Sequence, residues 1–220
     1  DELTKDTEIA FAQQVDNLSA STFRNLDENF GEYAGLIYDG AFEYAGTNPC
    51  AEEPLPAGGS CLLGALNLSE FVKKPFTSNA YFAINDFSEA VVDAVYALNE
   101  VLDEGLELHP LEEQRKSVRN WRQIGLGMMG LADCLIKLGI VYGSNEANEL
   151  CDDIAKTMFG IAVKASEARS YDYGNYPMFD KDAVNDSPML EAIDYCVDGL
   201  NNSQLLTIAP TGSISTMIGV

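Results

Sequence analysis

The sequence predicts an α/β fold, a helix-rich segment of an α/β barrel. Apolar residues recur at helical spacing through most of the chain, the strand-like runs are few, short and apolar, and helices lie between them. With 46% hydrophobic residues in 220, there is ample material for a core. The sequence has no repeats or low-complexity tracts.

In chain order, residues 1–46 read as an acidic helical arm, amphipathic over 3–29, with Ile9, Val15, Leu18 and Leu26 as candidate core contacts. Residues 47–220 form the second unit. Short strands are expected at 47–52 and 65–72. Ser88 to Glu104 is expected to be helical, since Val91, Val92, Val95, Leu98, Val101 and Leu102 follow a helical period and Gly105 suits the C′ position. A second helix is expected over Gly127 to Leu138, stopped by Gly139, and a long one over 145–173, ended by Gly174 and Pro177. Ser187-Pro188 makes an N-cap and N1 pair for a helix reaching Asp198, ended by Gly199. Leu205 to Ala209 reads as a short buried strand, and Pro210-Thr211-Gly212-Ser213 as a turn into a helix.

Thirteen basic against thirty-five acidic residues give a net charge of −22, which argues against a nucleic-acid or anionic-membrane partner. A salt-adapted or simply solubilising surface fits the surplus equally well. Residues 124–143 are the nearest approach to a membrane span, but Asp133 and Lys137 interrupt them. Their i, i+4 spacing predicts a pair on the exposed side of a soluble helix. No signal peptide is visible, and five cysteines without framework spacing fit a reducing cytoplasm. Cys134, Cys151 and Cys196 fall in helical patterns and read as structural. No metal site is expected.

The chemistry concentrates in Asn48-Pro49-Cys50-Ala51-Glu52. Proline biases the residue before it toward extended chain, where alternate side chains share a face, so an amide, a thiol and a carboxylate are expected side by side. Cys61 supplies a second thiol after a Pro/Gly-rich turn. The plainer alternative is a buried apolar cysteine with Glu52 and Glu53 on a solvated surface. In the 210–215 turn, backbone N–H groups at a helix N-terminus favour an anion. Gly212 admits close approach, and Thr211, Ser213 and Ser215 offer hydroxyl donors; ordinary capping is the competing account. Few basic side chains are present to hold an anion, so backbone amides would do much of that work. Gly125-Leu126-Gly127-Met128-Met129-Gly130 fits the G-x-G-x-x-G dinucleotide fingerprint, yet neither the preceding strand nor the later acidic residue closing a strand is evident. Those glycines read instead as sites of close helix packing.

Three blocks occur in one family's order. Asn48-Pro49-Cys50-Ala51-Glu52-Glu53-Pro54-Leu55, followed by Gly59-Ser60-Cys61-Leu62-Leu63-Gly64-Ala65-Leu66-Asn67-Leu68, resembles the finger-loop region of the large, catalytic subunit of ribonucleotide reductase. Asn120 to Asp133 resembles a barrel block, and Asn202-Ser203-Gln204-Leu205-Leu206-Thr207-Ile208-Ala209-Pro210-Thr211-Gly212-Ser213-Ile214-Ser215 its substrate-phosphate loop. The resemblance runs from about Thr47 to Val220 and points to the cobalamin-dependent and closely related aerobic branches. It implies part of a ten-stranded α/β barrel with a central finger loop, acting on ribonucleoside di- or triphosphates. Cys50 would carry a thiyl radical, Glu52 would act as general base, Asn48 would hold the ribose hydroxyls, and Cys61 would be one of two reducing cysteines. Pro210, Thr211, Gly212, Ser213 and Ser215 would hold the substrate phosphate. The resemblance also implies adenosylcobalamin, or a radical supplied by a separate metal-containing small subunit. A thioredoxin-like external dithiol reductant, the remainder of the catalytic subunit, and a homodimer complete the expected partners. Two other classes compete: an NAD(P)-dependent dehydrogenase using Gly125 to Gly130, and a non-catalytic acidic helical interaction module.

Overall fold

The computed structural model describes residues 44–60 and 62–220. The arm helix expected over 3–29, with Ile9, Val15, Leu18 and Leu26, lies outside the described residues, as does Cys61. Two long helices organise the core. Helix α1 (Ile84–Leu108) buries Phe87, Val91, Val95, Leu98 and Leu102, which fall on one stripe at three- and four-residue spacing. The other two apolar residues expected there, Val92 and Val101, face solvent. Between α1 and its partner comes α2 (Glu112–Trp121). The partner itself, α4 (Asn145–Tyr173), follows α3 (Leu131–Leu138) and buries Ile154, Met158, Ala162, Val163 and Ala165. Its bounds match the expected 145–173 stretch, with Ser144 Oγ accepting from Ala147 N–H at the start. Phe71, Phe82 and Phe87 close the other end of α1 in tilted and edge-on ring contacts.

Three two-stranded sheets accompany these helices among the described residues. Strands β1 (Tyr44–Thr47) and β2 (Pro54–Pro56) form an antiparallel hairpin. Strand β3 (Leu63–Asn67) leads through a 3₁₀ turn at Leu68–Phe71 into β4 (Val72–Lys73), which pairs with β5 (Tyr81–Phe82). Strand β6 (Gly125–Met129) runs parallel to β3, from Leu63 opposite Gly125 to Asn67 opposite Met129. Parallel neighbours need a long crossover, and α1 and α2 supply it. On its other side β6 meets residues 204–207: Leu126 N–H donates to Leu205 O at 2.8 Å and Thr207 N–H to Leu126 O at 3.1 Å. The strand expected at 205–209 is thus a parallel bridge at Leu206 with no longer ladder.

The remaining helices are short: α5 (Lys181–Asn185), α6 (Pro188–Glu191) and α7 (Gly212–Ile218). Several expectations are corrected. The helix expected from Gly127 begins only at Leu131, and Gly125–Met129 is strand. A side chain at 127 would put its Cβ 2.5 Å from the Thr207 carbonyl oxygen, so Gly127 admits a neighbouring backbone, and a Cβ at Gly125 would meet the Leu63 and Thr207 side chains; neither glycine serves helix packing. Gly130, at φ 71°, then makes the left-handed turn into α3. Helix α1 passes through Gly105 and ends at His109, where the following Pro110 disfavours helical geometry. Ser187 caps α6 as expected, accepting from Met189 N–H, but the helix stops at Glu191. Asp194 adopts φ 50°, and the Asn185 side chain clasps both backbone groups of Val197. Cys196 therefore lies outside any helix and is exposed. Lys137 turns from Asp133 to Ser69 and Glu70.

A buried polar network locks the chain just before residue 204. Asn202, fully buried, exchanges hydrogen bonds with Asn99 of α1, accepts from Ser166 of α4 and donates to Arg122 O at the end of α2. Arg169, 1% exposed, binds Glu100, Asp103 and Asn201 and stacks on Tyr173. Burial raises the Asp103 carboxyl pKa, but Arg122 and Arg169 overcome this and hold it below the usual carboxylate range. That contribution to stability is present above the unfolded carboxylate pKa and is lost as pH falls through the lowered value. Gly127→Ala is expected to lower stability by about 3 kcal/mol, because the contact is with backbone and cannot relax by side-chain rotation. Thermal or urea unfolding against the parent chain measures it.

Candidate active site

The hairpin between β1 and β2 holds Asn48 to Glu53. Ala51 N–H donates to Asn48 O at 3.0 Å, making a β-turn with Pro49 at its second position, where proline's fixed φ is favoured. Ala51 itself has φ 62°, a left-handed conformation uncommon for a residue with a Cβ. The expected extended alternation of Asn48, Cys50 and Glu52 is therefore replaced by a tight turn. Asn48 and Glu53 close it twice: Asn48 N–H donates to Glu53 O, and Glu53 N–H to Asn48 Oδ1, each at 3.1 Å. The Asn48 amide oxygen is thus committed to the loop, and its NH₂ is the part able to address a substrate.

Within the turn Cys50 is exposed. Glu52 is half-buried, with both carboxylate oxygens out of solvent and, among the described residues, no hydrogen-bond partner for either. A buried carboxylate without donors is costly, which is the arrangement expected where an outside donor is to bind.

Glu53, which the plainer alternative places on a solvated surface beside Glu52, is fully buried. Its Oε1 accepts from Gln204 Nε2 at 3.0 Å; the same Nε2 lies 3.0 Å from Thr207 Oγ1, and Gln204 Oε1 accepts from Gln123 Nε2 at 2.9 Å. Side-chain contacts thus join the cysteine loop to the segment leading into 210–215. Sequence reasoning missed Glu53, Gln123 and Gln204. The only signal was their presence within the three blocks, because partners 151 residues apart leave no local pattern.

The 210–215 turn opens helix α7 as expected. Thr211 takes the N-cap position at φ 56°, without a side-chain capping bond, so its hydroxyl does not do the capping that competed with anion binding. Gly212 and Ser213 are exposed, as is Pro210. Ser215 differs from expectation: its Oγ donates to Gly212 O at 3.1 Å, inside the helix. The G-x-G-x-x-G decoy fails on hydrogen bonding. Gly125 N–H donates to Leu62 O and Leu126 N–H to Leu205 O, so the segment is a strand and not a phosphate cradle.

The family model described as ribonucleotide reductase, barrel domain, matches residues 41–220, starting ahead of the expected Thr47. The chain belongs to this family. It is 35% identical over 178 residues to the vitamin B12-dependent ribonucleoside-diphosphate reductase of Thermoplasma acidophilum, covering 79% of this chain and 21% of that protein. It is 33% identical over 174 residues to the reductase of the same name from Mycobacterium tuberculosis, covering 79% and 22%. The chain thus spans about a fifth of the length of these curated relatives. Among solved structures, the class Id ribonucleotide reductase alpha subunit of Actinobacillus ureae superposes with TM-score 0.62 at 25% identity, covering 84% of this chain and 32% of that one. The helix-rich architecture with few strands is that of a piece of the reductase barrel. No helix among the described residues is long and apolar enough to cross a membrane.

Thiol accessibility separates the cysteines. Cys50 and Cys196 are exposed and Cys151 half-buried, whereas burial, with the nearby Cys151 thiol, pushes the Cys134 thiol up to about 11. Iodoacetamide at mild pH, followed by peptide mass spectrometry, is expected to label Cys50 and Cys196 first and leave Cys134 unmodified until unfolding.

Proposed function

We propose that this chain is the part of a ribonucleotide reductase catalytic subunit that holds the sugar and phosphate of a ribonucleotide during its reduction to a deoxyribonucleotide. The observation that carries the reading is Glu52, a buried carboxylate with two unpartnered oxygens two residues from an exposed thiol. Such a carboxylate suits a hydroxyl that will lose its proton.

Cys50, as a thiyl radical, takes the 3′ hydrogen atom of the ribose; S–H and activated ribose C–H bonds are close enough in strength for the transfer to reverse. Glu52 takes the 3′-hydroxyl proton, easing departure of the 2′-hydroxyl as water. The Asn48 NH₂ group donates a hydrogen bond to the ribose hydroxyls beside Glu52. A cysteine pair including Cys61 supplies two electrons and two protons and becomes a disulfide. Return of the hydrogen from Cys50 completes the deoxyribonucleotide and restores the radical. In sum, ribonucleotide and dithiol give deoxyribonucleotide, water and disulfide. Backbone N–H groups at Gly212 and Ser213, with the hydroxyls of Thr211 and Ser213, hold the di- or triphosphate of the substrate against the turn following Pro210.

Adenosylcobalamin, favoured by the names of the relatives, would generate the radical, with a metal-containing small subunit as the other source. Cys50 is exposed, so its thiol would be open to oxidation to the radical without breaking the turn's hydrogen bonds. A thioredoxin-like dithiol re-reduces the disulfide, in the cytoplasm, in the supply of DNA precursors. The remaining four-fifths of the subunit is needed, so the 220 residues alone are inactive even with adenosylcobalamin and dithiol added.

In the full-length protein, Cys50→Ser is expected to abolish deoxynucleotide formation while nucleotide binding, measured by equilibrium dialysis, persists. Retained turnover would overturn the radical assignment. Glu52→Gln is expected to lower kcat by about 10²- to 10⁴-fold with little change in nucleotide affinity, the range lost with a general base.

A further inference from the structure

The loop that carries Cys50 and the turn at 210–215 belong to segments far apart in sequence, yet one side chain touches both approaches. Gln204 donates to Glu53 Oε1 in the cysteine hairpin at 3.0 Å and lies against Thr207 Oγ1, also at 3.0 Å, three residues before Pro210. Its Oε1 accepts from Gln123, next to β6, and its backbone carbonyl accepts from Ile124 N–H. Glu53 is fully buried and its backbone N–H and carbonyl both bond to Asn48, so the residue whose carboxylate Gln204 holds is itself one end of the turn carrying Cys50 and Glu52. We infer that the Glu53–Gln204 hydrogen bond is a positioning device that sets the distance between the hydrogen-abstracting sulfur and the phosphate turn. The inference rests on the proposed reductase reading.

Its logic is geometric. A substrate held by its phosphate presents its 3′ carbon at a fixed distance from residues 210–215, and hydrogen-atom transfer requires sulfur and carbon at contact. A loop displaced by an ångström keeps the substrate bound and slows the reaction. The pair also has a direction. Gln204 Nε2 donates and Glu53 accepts, so the two positions can be exchanged chemically: glutamine at 53 donating to glutamate at 204. The exchanged carboxylate can still accept from Gln123 Nε2 and from the Thr207 hydroxyl.

The test uses the full-length protein. Gln204→Glu sets two buried carboxylates against each other and is expected to lower kcat about 10- to 100-fold with KM for the ribonucleotide changed less than about two-fold, as misplacement at a reacting centre does. The double variant Glu53→Gln/Gln204→Glu restores the bond in reverse and is expected to recover kcat to within about three-fold of the parent, a coupling only interacting residues show. Gln204→Met, which keeps the volume and removes the donor, carries the same expectation as the single Glu variant and serves if that variant does not fold. Thermal unfolding of each variant separates lost fold from lost geometry. Unchanged kcat in Gln204→Glu or Gln204→Met, a rise in KM in place of a fall in kcat, or a double variant no better than the single overturns the positioning role. Cys50→Ser run alongside distinguishes the two levels. Turnover surviving in it removes the reductase reading, whereas a dead Cys50→Ser with unaffected Gln204 variants removes the positioning pair alone.

Discussion

Asn202 decides where this chain turns from core to chemistry. Its side chain and backbone are held by Asn99 on α1, Arg122 at the end of α2 and Ser166 on α4, so three helices agree on the position of one buried residue. Two residues later Gln204 leaves that clamp and reaches the cysteine hairpin, and beyond it the backbone bridges to β6. The site inherits its geometry from helix packing through this short span. The hairpin adds no large core of its own; it is fixed by turn chemistry and by Glu53.

A network so polar is an expensive way to hold helices together. Burying Arg169, Asn99, Asn202 and Ser166 costs desolvation that their hydrogen bonds do little more than offset, and apolar residues of similar volume often stabilise as well or better. What the polar version adds is direction. Each amide accepts and donates along fixed lines, so a slide of α4 along α1 that an apolar interface would tolerate breaks several bonds together. For the proposed site, in which a sulfur and a phosphate turn sit at a set separation, registry would matter more than net stability. The same reasoning explains Gly127: the absence of a side chain lets the Thr207 backbone approach β6 closely, and the segment leaving the clamp is pressed onto the sheet.

The long helices were legible because their signals are local. The α4 bounds, the stripe on α1 and the Ser187 cap each follow from residues within a few positions of one another. The strand at Gly125–Met129 was not, because a run of glycine, leucine and methionine has no alternation and little β-propensity; its conformation is imposed by Leu62 and Leu205 on either side. At the site, the residue types were legible and the backbone was not. Proline before Cys50 signals extension in the sequence, yet it occupies the corner of a turn closed by Ala51. The acidic pair Glu52-Glu53 illustrates the limit most sharply. Neighbours of identical chemistry have opposite circumstances, one bonded to a residue 151 positions away and the other with no donor among the described residues, and nothing in the string separates them.

The charge balance bears on how such a site could hold a polyphosphate. With a net charge of −22 the chain repels an anion at long range, but the screening length at physiological salt is about 8 Å, so most of that charge is not felt at contact. At contact the groups within reach matter, and the two arginines of the polar network are already committed: half-buried Arg122 and buried Arg169 serve Asp103, Glu100 and the Asn99–Asn202 network. The proposed phosphate turn therefore relies on backbone N–H groups, which carry no counter-charge to be neutralised elsewhere and whose direction is fixed by the left-handed Thr211. Fixed donors have a consequence for the reaction. They cannot follow a substrate that shifts, so in the proposed reaction the sulfur would have to be brought to the sugar by the protein's own geometry, the task we assign to the Glu53–Gln204 contact.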